Sequence, residues 1–385
     1  MAVKSAVLFL SNNAEQAAYP LFLQRVMGTP LLAWLTGSLV SRGINRCLLI
    51  CPDQFLDKAK ACFPDSIALT CASDSDHMDI RAFLSDEEDA LVITAPVVDL
   101  GSKAAMFADD CGSADTGVYA VSGATLQSAP NGTLVEFLEQ NIPMCTEADG
   151  FVAVTAPDEL ADWQPILKRL HLYELANGGV EIWDYDNCYV DPTVQVGAGT
   201  VLMPGTILRG KTVIGENCTI GPNTLLEHAV IGNNTKVNAS QIYESSVGDD
   251  TAVGPFAYVR PNCRIGSDVK VGDFVEIKNS VIGDATKISH LTYIGDSDVG
   301  KRINFGCGTV TVNYDRAKKF RTVIEDDAFI GCNTNLIAPV TVGNGAYIAA
   351  GSTITEDVPA HSLSIARVRQ SNKENWSTKH KLKEK

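Results

Sequence analysis

The chain has 385 residues, enough for two or three domains. Hydrophobic residues make up 45% and charged residues 20%, which excludes global disorder. The net charge of -15 argues against a general binder of nucleic acid or of anionic membranes. The charge is uneven. Residues 1–150 hold 8 Lys and Arg against 19 Asp and Glu, and the remainder holds 23 against 27. An anionic ligand therefore approaches the second part more easily. The 11 cysteines form no C-x-x-C pair, which predicts reduced thiols in a cytosol. The apolar run 6–10 is too short for a signal segment, and no run of about 18 apolar residues follows. The expectation is a cytoplasmic protein with no membrane partner.

Residues 1–155 read as an α/β domain. Residues 6–10 predict a first strand, 30–39 a helix, 47–51 and 90–94 two further strands, and 133–140 a short helix. Thr155 is placed to cap a helix over 157–176. Its stripe holds Leu160, Trp163, Ile166, Leu167, Leu170 and Leu175, and Gly178-Gly179 is its stop. Residues 156–180 are expected to link two domains.

From Val190 onward an aliphatic residue recurs at every sixth position: Val190, Val196, Leu202, Leu208, Ile214, Ile220, Leu226. Further series run from Val247 to Ile277 and from Ile324 to Ile354, with one-residue slips at 226→231, 277→282 and 294→299. Gly often follows the aliphatic residue, as at Gly215, Gly221, Gly254 and Gly331. Small or aliphatic residues such as Thr200, Thr206, Thr224 and Val275 stand four positions after it. This is the hexapeptide pattern of a parallel β-helix, over domain 181–365. Each unit is a short strand and a corner, the aliphatic residue points into a triangular core, and Gly is expected to supply the torsions of the corner. One long break, 313–322, carries Arg316, Lys318, Lys319 and Arg321 with Phe320, an insertion the solenoid does not need. Residues 366–385 form a basic tail.

The second half resembles a known family, the bacterial bifunctional N-acetylglucosamine-1-phosphate uridyltransferase / glucosamine-1-phosphate N-acetyltransferase. The resemblance rests on Leu208-Arg209-Gly210, Gly254-Pro255-Phe256-Ala257, Val259-Arg260-Pro261, Phe274-Val275-Glu276-Ile277-Lys278, His290-Leu291-Thr292-Tyr293-Ile294-Gly295-Asp296, Asn313-Tyr314-Asp315 and Ala349-Ala350-Gly351. It covers about half the chain, in the acetyltransferase part. The first half matches weakly, through Val26-Met27-Gly28-Thr29-Pro30-Leu31. The implied fold is a nucleotidyltransferase-like, Rossmann-like α/β domain followed by a left-handed parallel β-helix. The implied assembly is a homotrimer with sites between subunits.

The reaction implied is acetyl transfer from acetyl-CoA to the 2-amino group of glucosamine 1-phosphate. An ammonium has no lone pair, so the acceptor must lose a proton, a task suited to histidine. His290 is the candidate base. The sugar phosphate needs cations, and Arg260 and Lys278 stand 18 residues apart, one full coil, so they should stack on one edge. Tyr293 and Asn304 match further sugar-binding positions. The family's acetyl-CoA contacts map onto Cys307, Asn313, Tyr314, Cys332, Ala350 and Arg367, with Cys307 and Cys332 standing where the family often has Ala and Ser. A covalent role for either cysteine is not required by amine acylation.

The first half departs from the uridyltransferase pattern. Ser11-Asn12-Asn13-Ala14-Glu15-Gln16 replaces a glycine-rich basic loop that would cradle a triphosphate. Pro20-Leu21 replaces a Pro-Lys, Ala95-Pro96 a Gly-Asp metal ligand, and Thr155 an Asn ligand; no uracil-binding motif stands at 71–78. The expectation is a domain without uridyltransferase activity and without magnesium. Two rivals remain: a non-catalytic regulatory or scaffold protein, and an acyltransferase acting on another amino sugar. A carbonic-anhydrase-like metal site is rejected, because His228, His290 and His361 form no close pair.

Overall fold

The computed structural model of the protein describes residues 3–10, 19–72, 80, 82–84, 88–101, 115–129, 134–146 and 149–379. Two compact units divide the chain. The first comprises Met1–Val196 with Ile207–Thr212, and the second Gly197–Thr206 with Val213–Lys385.

The first unit is built on a five-stranded sheet. Its strands lie in the order Ala68–Ala72, Arg46–Ile50, Ser5–Phe9, Asp89–Ile93, Val118–Ser122, and only the last pairing is antiparallel. Side chains alternate across a strand, so Ala6 and Leu8 face one side while Val7 and Phe9 face the other. Ala6, Leu8, Leu49 and Ile93 pack with Leu32, Leu35 and Leu39 of the helix Leu31–Ser41. Val7, Leu48 and Val92 pack with Leu134 and Leu138 of the helix Leu134–Asn141. Burial on both faces explains why these strands read as continuous apolar runs. The edge strand Ala68–Ala72 is only partly buried, carries a weak apolar signal, and escaped the sequence reading, as did the helix Asp53–Lys60.

The helix expected over 157–176 spans Glu159–Asn177. Leu160, Trp163, Leu167 and Leu170 pack against Leu21, Leu31, Trp34, Val98 and Val152, so the helix is a wall of the first unit's own core. Thr155 does not cap it. The N-cap is Asp158, and Thr155 instead donates from its backbone N–H (2.9 Å) and its hydroxyl (2.5 Å) to the Glu159 carboxylate. The stretch 11–16, where phosphate-binding glycines were sought, lies outside the described residues, as do residues 73–78.

In the second unit three parallel sheets wind into the left-handed parallel β-helix. The first sheet runs from Val201–Leu202 to Leu363–Ser364, the second from Leu225–Glu227 to Thr353–Ile354, and the third from Val213–Ile214 to Val340–Val342. One coil takes Val271, Ile277 and Ile282 in turn. The next takes Ile288, Ile294 and Val299 directly above them. All six are buried. The one-residue slips in the sequence series are coils shortened at a corner, as where Ile288 pairs with Phe305.

Polar atoms inside the prism are satisfied by the same repetition. Thr251 Oγ1 donates to Gly266 O (3.0 Å) and accepts from Val269 N of the next coil (3.1 Å). Thr200 does the same with Gly215 O and Cys218 N. A buried backbone group left unpaired would cost about 1–3 kcal/mol, so these hydroxyls decide where threonine stands.

Glycine's part differs from the expectation at some corners. Gly221 (φ 108) and Gly254 (φ 106) do adopt left-handed torsions. Gly215 and Gly331 do not; a Cβ there would meet Asn233 Oδ1 at 2.6 Å and Ala350 N at 2.5 Å, so close approach of the next coil selects glycine. Many left-handed corners are held by Asn and Asp, such as Asn217, Asn234, Asp250 and Asn279, whose short polar side chains tolerate that conformation.

Truncating the buried column tests this packing. Ile277→Ala should cost about 2–5 kcal/mol, read as a lower midpoint in urea unfolding, because adjacent coils hold their spacing and cannot collapse onto the void.

Candidate active site

At one edge of the prism Asp273 ends the first-sheet strand Lys270–Asp273 and His290 the strand Lys287–His290, each two positions after a buried aliphatic. Asp273 and His290 are direct ladder partners there. The pairings Ile288–Phe305, Phe305–Ile330 and Ile330–Ile348 continue the column through Cys307, Cys332 and Ala350. Arg367 closes its upper end, with Cδ 3.7 Å from where a Gly351 Cβ would stand.

His290 is exposed, and its Nδ1 lies 2.5 Å from Asp273 Oδ1. The His290 hydrogen bond holds the Asp273 carboxyl below its ordinary range. An ionised carboxylate only accepts, so the proton on this bond sits on Nδ1 and Nε2 is the nitrogen left to act as a base. The sequence reading named His290 and missed Asp273. Its signal was the coil spacing, 17 residues below His290 at the matching corner.

A cationic cluster occupies the far end of the second face. The register Val259–Ile277 stacks Arg260 directly beneath Lys278. Arg260 Nη1 donates to Glu276 Oε1 at 2.9 Å. Both cations line an open cavity of about 630 Å3 with Asn279, Asp296, Lys319 and Arg321. The neighbouring Lys319 pushes the Lys278 ammonium below its ordinary range. Lys319 was legible only as part of a basic insertion; folding brings it beside Lys278.

The insertion is a short hairpin, not a loose loop. Tyr314 bridges Lys319, Phe320 N donates to Asn313 O at 2.9 Å, and Asp315 Oδ1 accepts from the backbone N–H of Ala317 and Lys318. Arg321 pins its end through Asp298, at 2.5 and 2.9 Å, and through Ser297 O. Arg321 is therefore a cavity-lining cation neutralised by Asp298, whereas Lys319 stands beside Lys278.

Tyr293 lies between the two clusters. A Cβ on Gly295 would meet its hydroxyl at 2.3 Å, so the missing side chain at Gly295 gives the tyrosine ring room to lie along the face. Asn313 is buried, and its Nδ2 donates to Asp296 Oδ2 at 2.5 Å. Tyr314 is exposed and donates to Arg316 O. Asn304 is exposed on the first sheet, between Lys287 and Phe329 in the ladder, so it faces away from Tyr293.

A single chain therefore brings together His290, Asp273, Cys307, Cys332 and Ala350 along one edge, and Arg260, Lys278 and Lys319 at another. Lys278 pairs with Gly295, five positions beyond His290. At about 3.3 Å per residue that separation is at most about 16 Å of chain.

The cationic cluster has a direct test. Lys319→Met removes the like charge, so the Lys278 ammonium should return toward its ordinary range and hold its proton to higher pH. Trinitrobenzenesulfonate labelling of Lys278 at pH 9, quantified by peptide mass spectrometry, should slow; unchanged labelling would show that the two ammonium groups are uncoupled.

Residues 193–228, 244–279 and 321–356 match the family described as bacterial transferase hexapeptide (six repeats). The chain is 54% identical over 220 residues to the bifunctional protein GlmU of Halalkalibacterium halodurans, covering 57% of this chain and 48% of that one. It is 56% identical over 221 residues to the Acetivibrio thermocellus protein of the same name, covering 57% and 48%, and 50% identical over 233 residues to that of Clostridium kluyveri, covering 60% and 51%. Among solved structures, the Arabidopsis UDP-N-acetylglucosamine acyltransferase is 19% identical with a TM-score of 0.32, over 49% of this chain and 70% of that one. The chain spans about half the length of the curated relatives it matches. The kinship of this chain lies in its hexapeptide half, which is similar to the bifunctional proteins named GlmU.

Proposed function

We propose that this chain is a glucosamine-1-phosphate N-acetyltransferase that uses acetyl-CoA. The observation that carries the reading is the Asp273–His290 pair on the edge that continues into Cys307, Cys332 and Ala350, with Arg260, Lys278 and Lys319 at the far end of the adjoining face. An enzyme that acylates a phosphorylated amine needs a base, a lane for the thioester and cations for the phosphate.

In this reading His290 Nε2 takes a proton from the 2-ammonium group. The freed amine attacks the thioester carbonyl, the C–N bond forms, and the C–S bond breaks. The nitrogen gives up its second proton as the amide forms, the leaving thiolate takes up one proton to become the CoA thiol, and the imidazolium returns its proton to solvent. Asp273 fixes the ring and offsets the imidazolium charge, while Arg260, Lys278 and Lys319 hold the phosphate. Tyr293 orients the sugar, and Asn304, which faces away from Tyr293 in one chain, would reach it from a neighbouring subunit. Cys307, Asn313, Tyr314, Cys332, Ala350 and Arg367 border acetyl-CoA, with Asn313 acting through its hold on Asp296.

The assembly we propose is a homotrimer, in which an edge of one prism faces a neighbour and brings the base and the cations to one substrate. The product would feed UDP-N-acetylglucosamine and cell-wall precursor synthesis. The first unit, with Ala95-Pro96 after the strand Asp89–Ile93 and Thr155 tied to Glu159, is read as lacking uridyltransferase activity and magnesium. The location we propose is cytoplasmic, as the reduced-thiol reading of the cysteines implies; no helix of the described residues is long and apolar enough to cross a membrane.

Thiol release from acetyl-CoA with glucosamine 1-phosphate tests the reading. His290→Ala should lower kcat about 10²–10⁴-fold. Lys278→Ala should raise KM for the sugar phosphate about 10- to 100-fold, since a hydrogen bond to a charged group contributes about 1.5–3 kcal/mol. A wild type as slow as His290→Ala would favour a scaffold. Full rate with another amino sugar and none with glucosamine 1-phosphate would reassign the acceptor. UTP-dependent pyrophosphate release by the wild type would overturn the inactive first unit.

A further inference from the structure

Cys307 and Cys332 stand one above the other. Phe305 pairs with Ile330, Gly306 N donates to Ile330 O at 2.7 Å, and Asn333 N donates to Cys307 O at 2.8 Å, so the two cysteines occupy the same rung position on adjacent coils. Adjacent strands are spaced about 4.7–4.9 Å. Disulfides form across Cα separations of about 4.4–6.8 Å. The residues before and after them in the column, His290 and Ala350, offer no third thiol.

Stacking and exposure together separate this pair from the other described cysteines. Cys332 is the exposed one among them; Cys307 is half-buried, as are Cys71 and Cys145, and Cys47, Cys51, Cys62, Cys188, Cys218 and Cys263 are buried. Burial pushes the Cys47 and Cys188 thiols up to about 12 and the Cys62 thiol to about 11, which keeps them from acting as thiolates.

We propose that Cys332 and Cys307 form a thiol–disulfide exchange site for low-molecular-weight disulfides, closing to a Cys307–Cys332 bond beside His290. In the first step the Cys332 thiolate attacks one sulfur of the small disulfide. A mixed disulfide forms and one small thiolate leaves. In the second step the Cys307 thiolate attacks the Cys332 sulfur, the protein disulfide forms, and the second small thiolate leaves. Two protein thiols are oxidised, one small disulfide is reduced to two thiols, and the leaving thiolates take up the two protons. The bond would tie two coils together on the edge next to the base. Its effect on acetyl transfer rests on the function proposed above; its formation does not.

The test uses the full-length chain with oxidised glutathione. After alkylation and digestion, mass spectrometry should show a Cys307–Cys332-linked peptide, two hydrogens lighter than the reduced pair. Cys307→Ala should stop at a glutathione adduct on Cys332, and Cys332→Ser should give no linked peptide. A wild type that keeps a stable adduct on Cys332, or links neither cysteine, overturns the exchange site. Acetyl transfer by the oxidised wild type should fall at least ten-fold and return with dithiothreitol, while the ratio of oxidised to reduced activity in Cys332→Ser stays near one. A linked chain with undiminished transfer overturns the control of activity. No transfer by the reduced chain would count against the proposed function and leave the mass readout standing.

Discussion

The spacing of one coil above another governs everything in the second unit. Ladder hydrogen bonds hold successive strands in register, so a residue is repeated in space by whatever stands 16 to 18 positions later, or 25 across the insertion. Core aliphatics become one buried column, threonine hydroxyls a second, and corner amides a third. Glycine is required wherever the next coil's backbone approaches too closely for a Cβ, as at Gly215 and Gly331. The constraint acts on the surface as well. A side chain at a corner inherits its neighbours from the coils below and above, which is how Asp273 comes to hold His290 and Arg260 to lie beneath Lys278.

A stiff scaffold of this kind suits preorganised chemistry. The charged groups at the proposed site do not need to be gathered by a flexible loop, because backbone register already places them. The one non-repetitive element, the hairpin after Val312, is anchored by the Arg321–Asp298 pair and by the Asn313–Asp296 contact. That anchoring delivers Lys319 to the cavity wall. The electrostatic consequence is mutual: each cation raises the attraction for a dianionic phosphate, and Lys278 binds its own proton less tightly for having Lys319 beside it.

The same repetition explains the thiol pair. Two cysteines 25 residues apart in the chain become rung neighbours because the insertion between them is extruded from the prism. Neither is protected by burial as Cys218 and Cys263 are, and both lie on the edge that carries His290. The first unit follows different physics. Its strands are buried on two faces, its helices cover both, and Asp99, fully buried, is paired with Arg42 in a two-pronged contact that fixes the end of the helix Leu31–Ser41.

The six-residue period by itself determined the prism, its buried column and its slips, because a period imposed by one strand and one corner matches no other regular structure. Apolar runs located the central strands of the first unit, where burial on two faces leaves no alternation to disguise them. The family resemblance picked out His290, Arg260 and Lys278, whose chemistry suits the implied reaction, and the period stacked the two cations. Tertiary structure decided the rest. The partnership of Asp273 with His290 depends on which corner residues share a rung. The division of labour between Lys319 and Arg321 depends on where a hairpin folds back. The edge strand Ala68–Ala72 is held by pairing with Arg46–Ile50 rather than by its own apolar pattern. In each case the deciding interaction joins residues distant in sequence, and local composition carries no record of it.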